Sequence, residues 1–292
     1  MLDESKQKTK KTNKNLTFNA QLAHGSKTVT VGNFSNIPEL YQCLAINLNI
    51  DDSDILFCTV NNYAVNMDAL LSGQICFDDF IYVHVKGKTK ELTINKTELA
   101  IGMTITDNGC GKAFIKRIKP NSVASKYSQL LVGDHIVEIN NESMLGLRHF
   151  EVAKVLKTLR IDVEFTMKLI EVRREFDQIA PRSKPTASLD RVQSGRKSLR
   201  LGRKGQAKIQ EAHSDFDHKA IEKIDDMFDQ YLGIRDSELS TTILESFKSK
   251  GGTLLPFSKE VKKNAENTED FLDDKLLQDI WSMLSDLKVG RI

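Results

Sequence analysis

Two stretches decide how this chain is read: Lys96-Thr97-Glu98-Leu99-Ala100-Ile101-Gly102-Met103-Thr104-Ile105, and further along Leu147-Arg148-His149-Phe150-Glu151-Val152-Ala153-Lys154-Val155-Leu156. The first reads as a tight loop feeding a strand. Ile101, Met103 and Ile105 alternate with Gly102 and Thr104, which gives one apolar face at the period of a strand. The second reads as an amphipathic helix with a His at its start. Ala153 and Leu156 follow His149 at helical spacing, so the three share one face. Taken singly these signals are weak. An apolar-Gly-apolar run is common, and a His at a helix start is most often a surface or capping residue.

The weight rests on what lies between and after. Ala113–Ile118 reads as a strand, followed by Asn121-Ser122-Val123-Ala124. A Gly133-Asp134 turn then opens a strand through Asn140. After the helix, Val163–Ile170 reads as a last strand. This order and spacing resemble a PDZ domain, whose groove takes the free C-terminus of another protein as an added strand. The resemblance implies roles for particular residues. The N–H groups of Ile101, Gly102 and Met103 would cradle the ligand's terminal carboxylate in a backbone nest. Ala100 stands where the PDZ loop ordinarily has its first Gly. Lys96 would assist through water. Ile101, Met103, Ile105, Ala153 and Leu156 would line the pocket for the last side chain, and Thr104 lies on the peptide-pairing strand. His149 would bond a Ser or Thr hydroxyl two residues before the ligand's end, giving a preference for Ser/Thr-x-Φ. Lys116, on the neighbouring strand, would favour an acidic ligand residue one position earlier.

The 292 residues are enough for two or three domains. Hydrophobic residues make up 40% and charged residues 28%, ordinary for a globular protein. No apolar run approaches the ~20 residues of a membrane span. Residues 1–15 are Lys-rich without an apolar core, which reads as a disordered arm rather than a secretory signal. Cys43, Cys58, Cys76 and Cys110 show no metal-binding spacing, and a reducing cytosol fits them. Cys43 and Cys58 read as buried thiols and Cys110 as part of an exposed turn. The net charge of +2 hides a segregated pattern. Residues 16–87 hold two Lys and seven acids, 181–212 hold nine bases and two acids, and 213–292 hold eleven bases and seventeen acids. Such alternation reads as acidic domains joined by a basic connector.

Residues 16–87 read strand, strand, helix, strand, strand. The helix is announced by Asn36 as N-cap, Pro38 in the first turn and Glu39 reaching back. That order predicts a ubiquitin-like β-grasp. Residues 88–180 hold the PDZ-like part, a β-sandwich or barrel with two helices. Residues 181–212, rich in Arg, Lys, Ser and Gly, read as a linker. From 213 to 292 the chain reads as a helical bundle. Phe216, Ile221, Ile224, Met227, Phe228 and Tyr231 form a stripe closed by Gly233, and Asp236 is placed to cap a second helix. Leu276, Leu277, Ile280, Trp281, Leu284 and Leu287 form the last stripe. The fold class expected is α+β multidomain.

Assembled, the chain is similar to the GIPC, synectin-type family of PDZ adaptors. Gln21–Ser26, Asp68–Gln74, Gly102–Gly109, Ala113–Ile118, Lys219–Lys223, Tyr231-Leu232-Gly233-Ile234-Arg235-Asp236 and Lys288–Arg291 carry the resemblance. It implies an N-terminal GH1 domain that dimerises, a PDZ domain and a helical GH2 domain. It implies a cytoplasmic scaffold, peripheral to plasma membrane and endocytic vesicles. The PDZ domain would bind C-terminal tails of transmembrane receptors, and GH2 would recruit the cargo-binding region of myosin VI. No cofactor, metal or nucleic acid is implied. Three rival functions stand beside this one. An enzyme would need a catalytic constellation, and neither a Gly-x-Ser-x-Gly elbow nor a P-loop is present; a Cys110–His135 or Cys110–His149 pair has nothing to orient the His. A nucleic-acid binder or signalling scaffold would use the basic stretch, which no aromatic residues interleave. The third is a structural scaffold that selects no cargo.

Overall fold

The computed structural model describes residues 16–174, 197–211, 213–250, 252–265 and 272–291. The expected N-terminal arm and the first half of the expected linker lie outside them.

β1 (Thr17–Leu22) pairs antiparallel with β2 (Val29–Gly32), and α1 (Ile37–Leu48) follows. β1 also runs parallel to β5 (Phe80–Asn95), which pairs antiparallel with β3 (Ile55–Val60). The order β2-β1-β5-β3 with one helix across it is a β-grasp. The Asn36 side chain accepts from the Glu39 N–H at 2.9 Å, and Glu39 accepts from the Ser35 N–H at 2.7 Å. These bonds satisfy first-turn donors that the helix itself cannot. Ile37, Leu40, Tyr41 and Leu44 then bury one face of α1 against Phe18, Val31, Ile81 and Val83.

β5 does not stop where the second domain starts. Its first half closes the β-grasp, and its second half pairs with β10 (Glu164–Val172) as the first strand of the next sheet. That sheet continues through β8 (His135–Ile139), β7 (Ala113–Ile118) and β6 (Met103–Asp107), with β9 (Glu142–Ser143) beside β8. α2 (His149–Thr158) packs along β6. The first of the two helices expected here is a single 3-10 turn, Ala124–Lys126. The boundary expected between 87 and 88 therefore falls inside one strand. Nothing in Lys86-Gly87-Lys88 marks it, because an exposed strand segment and a linker share that composition.

Side chains reinforce the joint. Phe57 on β3 stacks on His84 of β5 with ring centroids 4.7 Å apart and meets Phe114 of β7 edge-on at 5.2 Å. Phe114 in turn lies 5.3 Å from the His135 ring. Leu56, Met67, Leu70 and Val172 close this second core around Phe57 and Phe114. The Asn108 amide donates to the Leu56 carbonyl at 2.7 Å. Cys110, expected in an exposed turn, is half-buried because its turn packs on the β-grasp core. Cys43 is half-buried as well, whereas Cys58 is buried.

The expected linker needs a larger correction. β11 (Lys197–Arg200) and β12 (Lys208–Glu211) form a hairpin, and β11 pairs with β4 (Gln74–Cys76) of the first domain. The physical reason is Ser198-Leu199-Arg200-Leu201. Leu199 and Leu201 are buried in the β-grasp core, while Arg200 reaches out to Thr242 at 3.3 Å. The Gln74 amide donates to the Ser198 hydroxyl at 2.7 Å.

α3 (Asp215–Leu232), α4 (Ser237–Lys250), α5 (Leu254–Asn264) and α6 (Asp274–Lys288) make the bundle. Phe228, Ile243, Phe257, Leu277 and Ile280 are fully buried at its centre. Gly233 ends α3 at φ 71°, a left-handed conformation that suits glycine.

Candidate peptide-binding groove

Gly102 adopts φ +84°, and a Cβ there would lie 2.1 Å from the Ser122 Cβ, so only glycine fits this loop. Its carbonyl accepts from the Lys119 N–H at 2.8 Å, and the Ile101 carbonyl accepts from the Ala124 N–H at 2.9 Å. Ile101, Met103, Ile105 and Leu156 are buried in the core of the PDZ-like sheet. Thr104 and Thr106, on the other face of β6, are buried too.

Lys96 is placed differently from its expected role. Its side chain is buried, and Nζ donates to the carbonyls of Leu156, Lys157 and Leu159 at 3.0, 2.9 and 2.8 Å. All three ammonium protons are thus committed to the orphan carbonyls at the end of α2, where the helix dipole also favours a cation. Lys96 positions the helix rather than serving a ligand through water. Lys96→Met is expected to destabilise the chain by roughly 2–4 kcal/mol, since hydrogen bonds to a charged group contribute ~1.5–3 kcal/mol each and packing relaxes part of the loss. Urea unfolding checks this; a shift under about 0.5 kcal/mol would mean the carbonyls find other partners.

The groove is not open. The end of α3 enters it. Ile105 donates its N–H to the Gly233 carbonyl at 3.0 Å and accepts from the Arg235 N–H at 3.1 Å, so Gly233-Ile234-Arg235 adds to β6 as a short parallel strand. Ile234 is fully buried, and Ala153 of α2 belongs to the same hydrophobic cluster as Ile234 and the bundle core. The Thr104 hydroxyl donates to Asp229 at 2.7 Å, and Lys119 pairs with Asp229 at 3.2 Å. The Lys157 ammonium reaches the Tyr231 carbonyl at 3.0 Å.

At the other end of α2, His149 is buried and its Nδ1 lies 2.7 Å from Asp107 Oδ2. A carboxylate only accepts, so Nδ1 carries the proton and Nε2 faces the groove. Arg148 donates from Nε to Asp107 at 2.8 Å and from Nη2 to Asp236 of the bundle at 3.1 Å. Burial alone would raise the Asp107 carboxyl, but His149 and Arg148 override it and hold that group well below the usual carboxylate range. Lys116 lines a small cavity with Thr106, Asp107, Arg148, His149 and Asp236. Asp107, Arg148, Asp229, Ile234 and Asp236 were not among the expected site residues. The run Tyr231–Asp236 was visible as a family signature, yet nothing local to it shows that it seats against β6, more than a hundred residues away in sequence. Burial pushes the Cys110 thiol up to about 11, away from the thiolate form that a nucleophile needs.

A strand, a helix and a glycine loop framing a slot for one extended segment define a PDZ-domain adaptor. The GIPC1-3 GH1 domain family matches residues 17–83, the PDZ domain family residues 91–168 and the GIPC1-3 GH2 domain family residues 195–287. The mouse "PDZ domain-containing protein GIPC1" is 44% identical over 287 residues, covering 94% of this chain and 83% of that one, and mouse GIPC2 is 46% identical over 278 residues, covering 94% and 87%. The chain belongs to the GIPC family. Among solved structures, the "PDZ domain from choanoflagellate GIPC (mbGIPC) bound to GAIP peptide" is 41% identical, with a TM-score of 0.30, and spans 33% of this chain and 100% of that one. Among the described residues no helix is long and apolar enough to cross a membrane.

Proposed function

We propose that this chain is a cytoplasmic adaptor, peripheral to plasma membrane and endocytic vesicles, that joins C-terminal tails of transmembrane receptors to the cargo-binding region of myosin VI. Tails ending Ser/Thr-x-Φ enter the groove between β6 and α2, with the carboxylate at Ile101, Gly102 and Met103 and the hydroxyl at His149. An acidic residue one position earlier meets Lys116. The bundle recruits the motor, and the first domain mediates self-association.

The observation that carries this reading is the Gly233–Asp236 segment in the groove. The segment and a receptor tail need the same β6 edge, so they exclude each other. Filling the groove therefore releases the bundle, and freeing the bundle opens the groove. This exclusion operates within one chain. Two ligands linked by such an equilibrium tighten each other by the same factor, commonly ~1–3 kcal/mol. A Ser/Thr-x-Φ peptide is thus expected to raise the affinity of the full chain for the myosin VI cargo-binding region roughly five- to a hundredfold, and calorimetric titration with and without peptide measures it. Equal motor affinity in both titrations would leave two independent sites and discard the coupling.

A further inference from the structure

The groove's corner beside α2 is occupied by a carboxylate, and the way it is held says what else fits. Asp236 divides its two oxygens. Oδ1 stays within the bundle, accepting the Leu239 N–H at 2.9 Å as the cap of α4. Oδ2 is presented across the interface, 3.1 Å from Arg148 Nη2 and 3.5 Å from His149 Nε2. His149 is only 1% exposed, and among the described residues its Nε2 has no hydrogen-bond partner. Arg148 Nη2 thus holds the chain's own anion at the corner, with His149 Nε2 beside it.

Asp107 offsets only one of the corner's two cations, Arg148 and Lys116. Its Oδ2 is already taken by Arg148 Nε, by the His149 backbone N–H at 3.2 Å and by His149 Nδ1. Asp68 of the first domain also lines the cavity, and the remaining acids near the corner belong to the bundle. Asp236 and Glu238 line the cavity from α4 and the turn before it, and Asp225 acts on Lys116 from α3. Burial and then the Asp236 charge push the Glu238 carboxyl up to about 7, so this acid is poorly tolerated while the groove is closed. When the bundle leaves, all three acids leave with it. Arg148, His149 and Lys116 then face Asp107, and Asp68 remains exposed and paired with Arg117.

We propose that this corner is an anion subsite, so that the groove accepts tails whose side chain facing His149 carries a carboxylate or a phosphate, as well as tails with the free hydroxyl. The inference rests on the groove reading above. Its chemistry follows from the two side chains: with Nδ1 given to Asp107, His149 Nε2 is left to accept from a hydroxyl, and Arg148 Nη2 supplies a charge-assisted donor to an oxyanion. A subsite built for a hydroxyl alone loses affinity when that hydroxyl is phosphorylated; this corner gains.

The test uses the full chain and four peptides of one sequence, with Ser, phosphoserine, Asp or Ala two residues before a free C-terminus. Fluorescence anisotropy at neutral pH is expected to show phosphoserine binding three- to tenfold tighter than Ser, and Asp tighter than Ala, with both preferences shrinking as salt rises. In Arg148→Met the phosphoserine-to-Ser ratio should fall below one. The four affinities of the unaltered chain are decisive by themselves, whether or not that variant folds. Phosphoserine weaker than Ser, or Asp no better than Ala, overturns the subsite while leaving the groove intact. Failure of all four peptides, Ser included, overturns the groove reading and the subsite with it.

Discussion

Ile234→Ala is expected to raise the affinity of the full chain for a Ser/Thr-x-Φ peptide by about ten- to a hundredfold. Ile234 is the fully buried side chain of the segment bonded to β6. Truncating a buried Ile to Ala costs roughly 2–5 kcal/mol, and only part of that falls on the contact between bundle and groove. A ligand that binds only the open state feels its affinity divided by the open fraction. Shifting the closed–open balance by ~1.4–2.8 kcal/mol therefore appears directly as tighter peptide binding. Because Ile234 also packs in the bundle core, Asp236→Asn serves as the companion variant, weakening the charge-assisted contact to Arg148 without removing a core side chain. Anisotropy titration of one peptide against the three proteins reads the effect. If neither variant gains affinity, the segment leaves the groove too easily to compete, and occlusion is no control.

A second large effect is expected from acid, at the joint between the first two domains. His84 and His135 are both buried. Burial, with Arg174 next, depresses the His84 ring to about 3, and burial, with Lys112 next, depresses His135 to about 4. His84 Nε2 lies 2.8 Å from the Thr59 hydroxyl, whereas neither ring nitrogen of His135 has a partner among the described residues. Both rings fold as neutral groups, and the unfolded chain binds protons below about pH 6.5 while the folded chain does not. The stability they confer is therefore complete above about pH 6.5 and lost as pH falls toward 4. At pH 5 each ring forfeits ~2 kcal/mol, so the pair forfeits about 4 kcal/mol. Urea unfolding at pH 7.5 and pH 5.0 should show this loss. His84→Gln with His135→Leu should remove most of it, which separates the two rings from the carboxylates that also titrate on the way down. An equal loss in the double variant would assign the acid sensitivity elsewhere.

What the sequence made legible, and what it hid, divides along one physical line. Signals carried by a few adjacent residues were readable. Asn36 with Glu39 announced α1, the Gly133-Asp134 turn announced β8, and the apolar stripes announced α3 and α6. The Gly102 loop and His149 could be placed because a strand, a turn and a helix start are local features. Relationships that depend on pairing across the chain were not. β5 gave no sign of serving two sheets. The hairpin of β11 and β12 hid behind its Arg and Lys residues, though the alternation in Ser198-Leu199-Arg200-Leu201 was a faint strand signal in a stretch whose composition spoke louder. Lys96 was visible as a cation near the loop, but three carbonyls at the end of α2 decide where its ammonium goes. Arg148 and Asp107 were ordinary charges until Asp236 was brought to them.

The single strand shared by the first two domains has a consequence for how this architecture can vary. Side chains in the second half of β5 alternate between faces, so Leu92 and Ile94 point into the second core while Thr93 is exposed. The first core instead takes Ile81 and Val83. Between the halves the ladder slips: Thr89 pairs with Ile170 but Lys86 with Val172, so three steps along β5 match two along β10. That bulge takes up one residue between the two cores. Deleting one residue beside Gly87 is therefore expected to straighten the strand with both registers kept, whereas deleting a second would force one of the two ladders out of register.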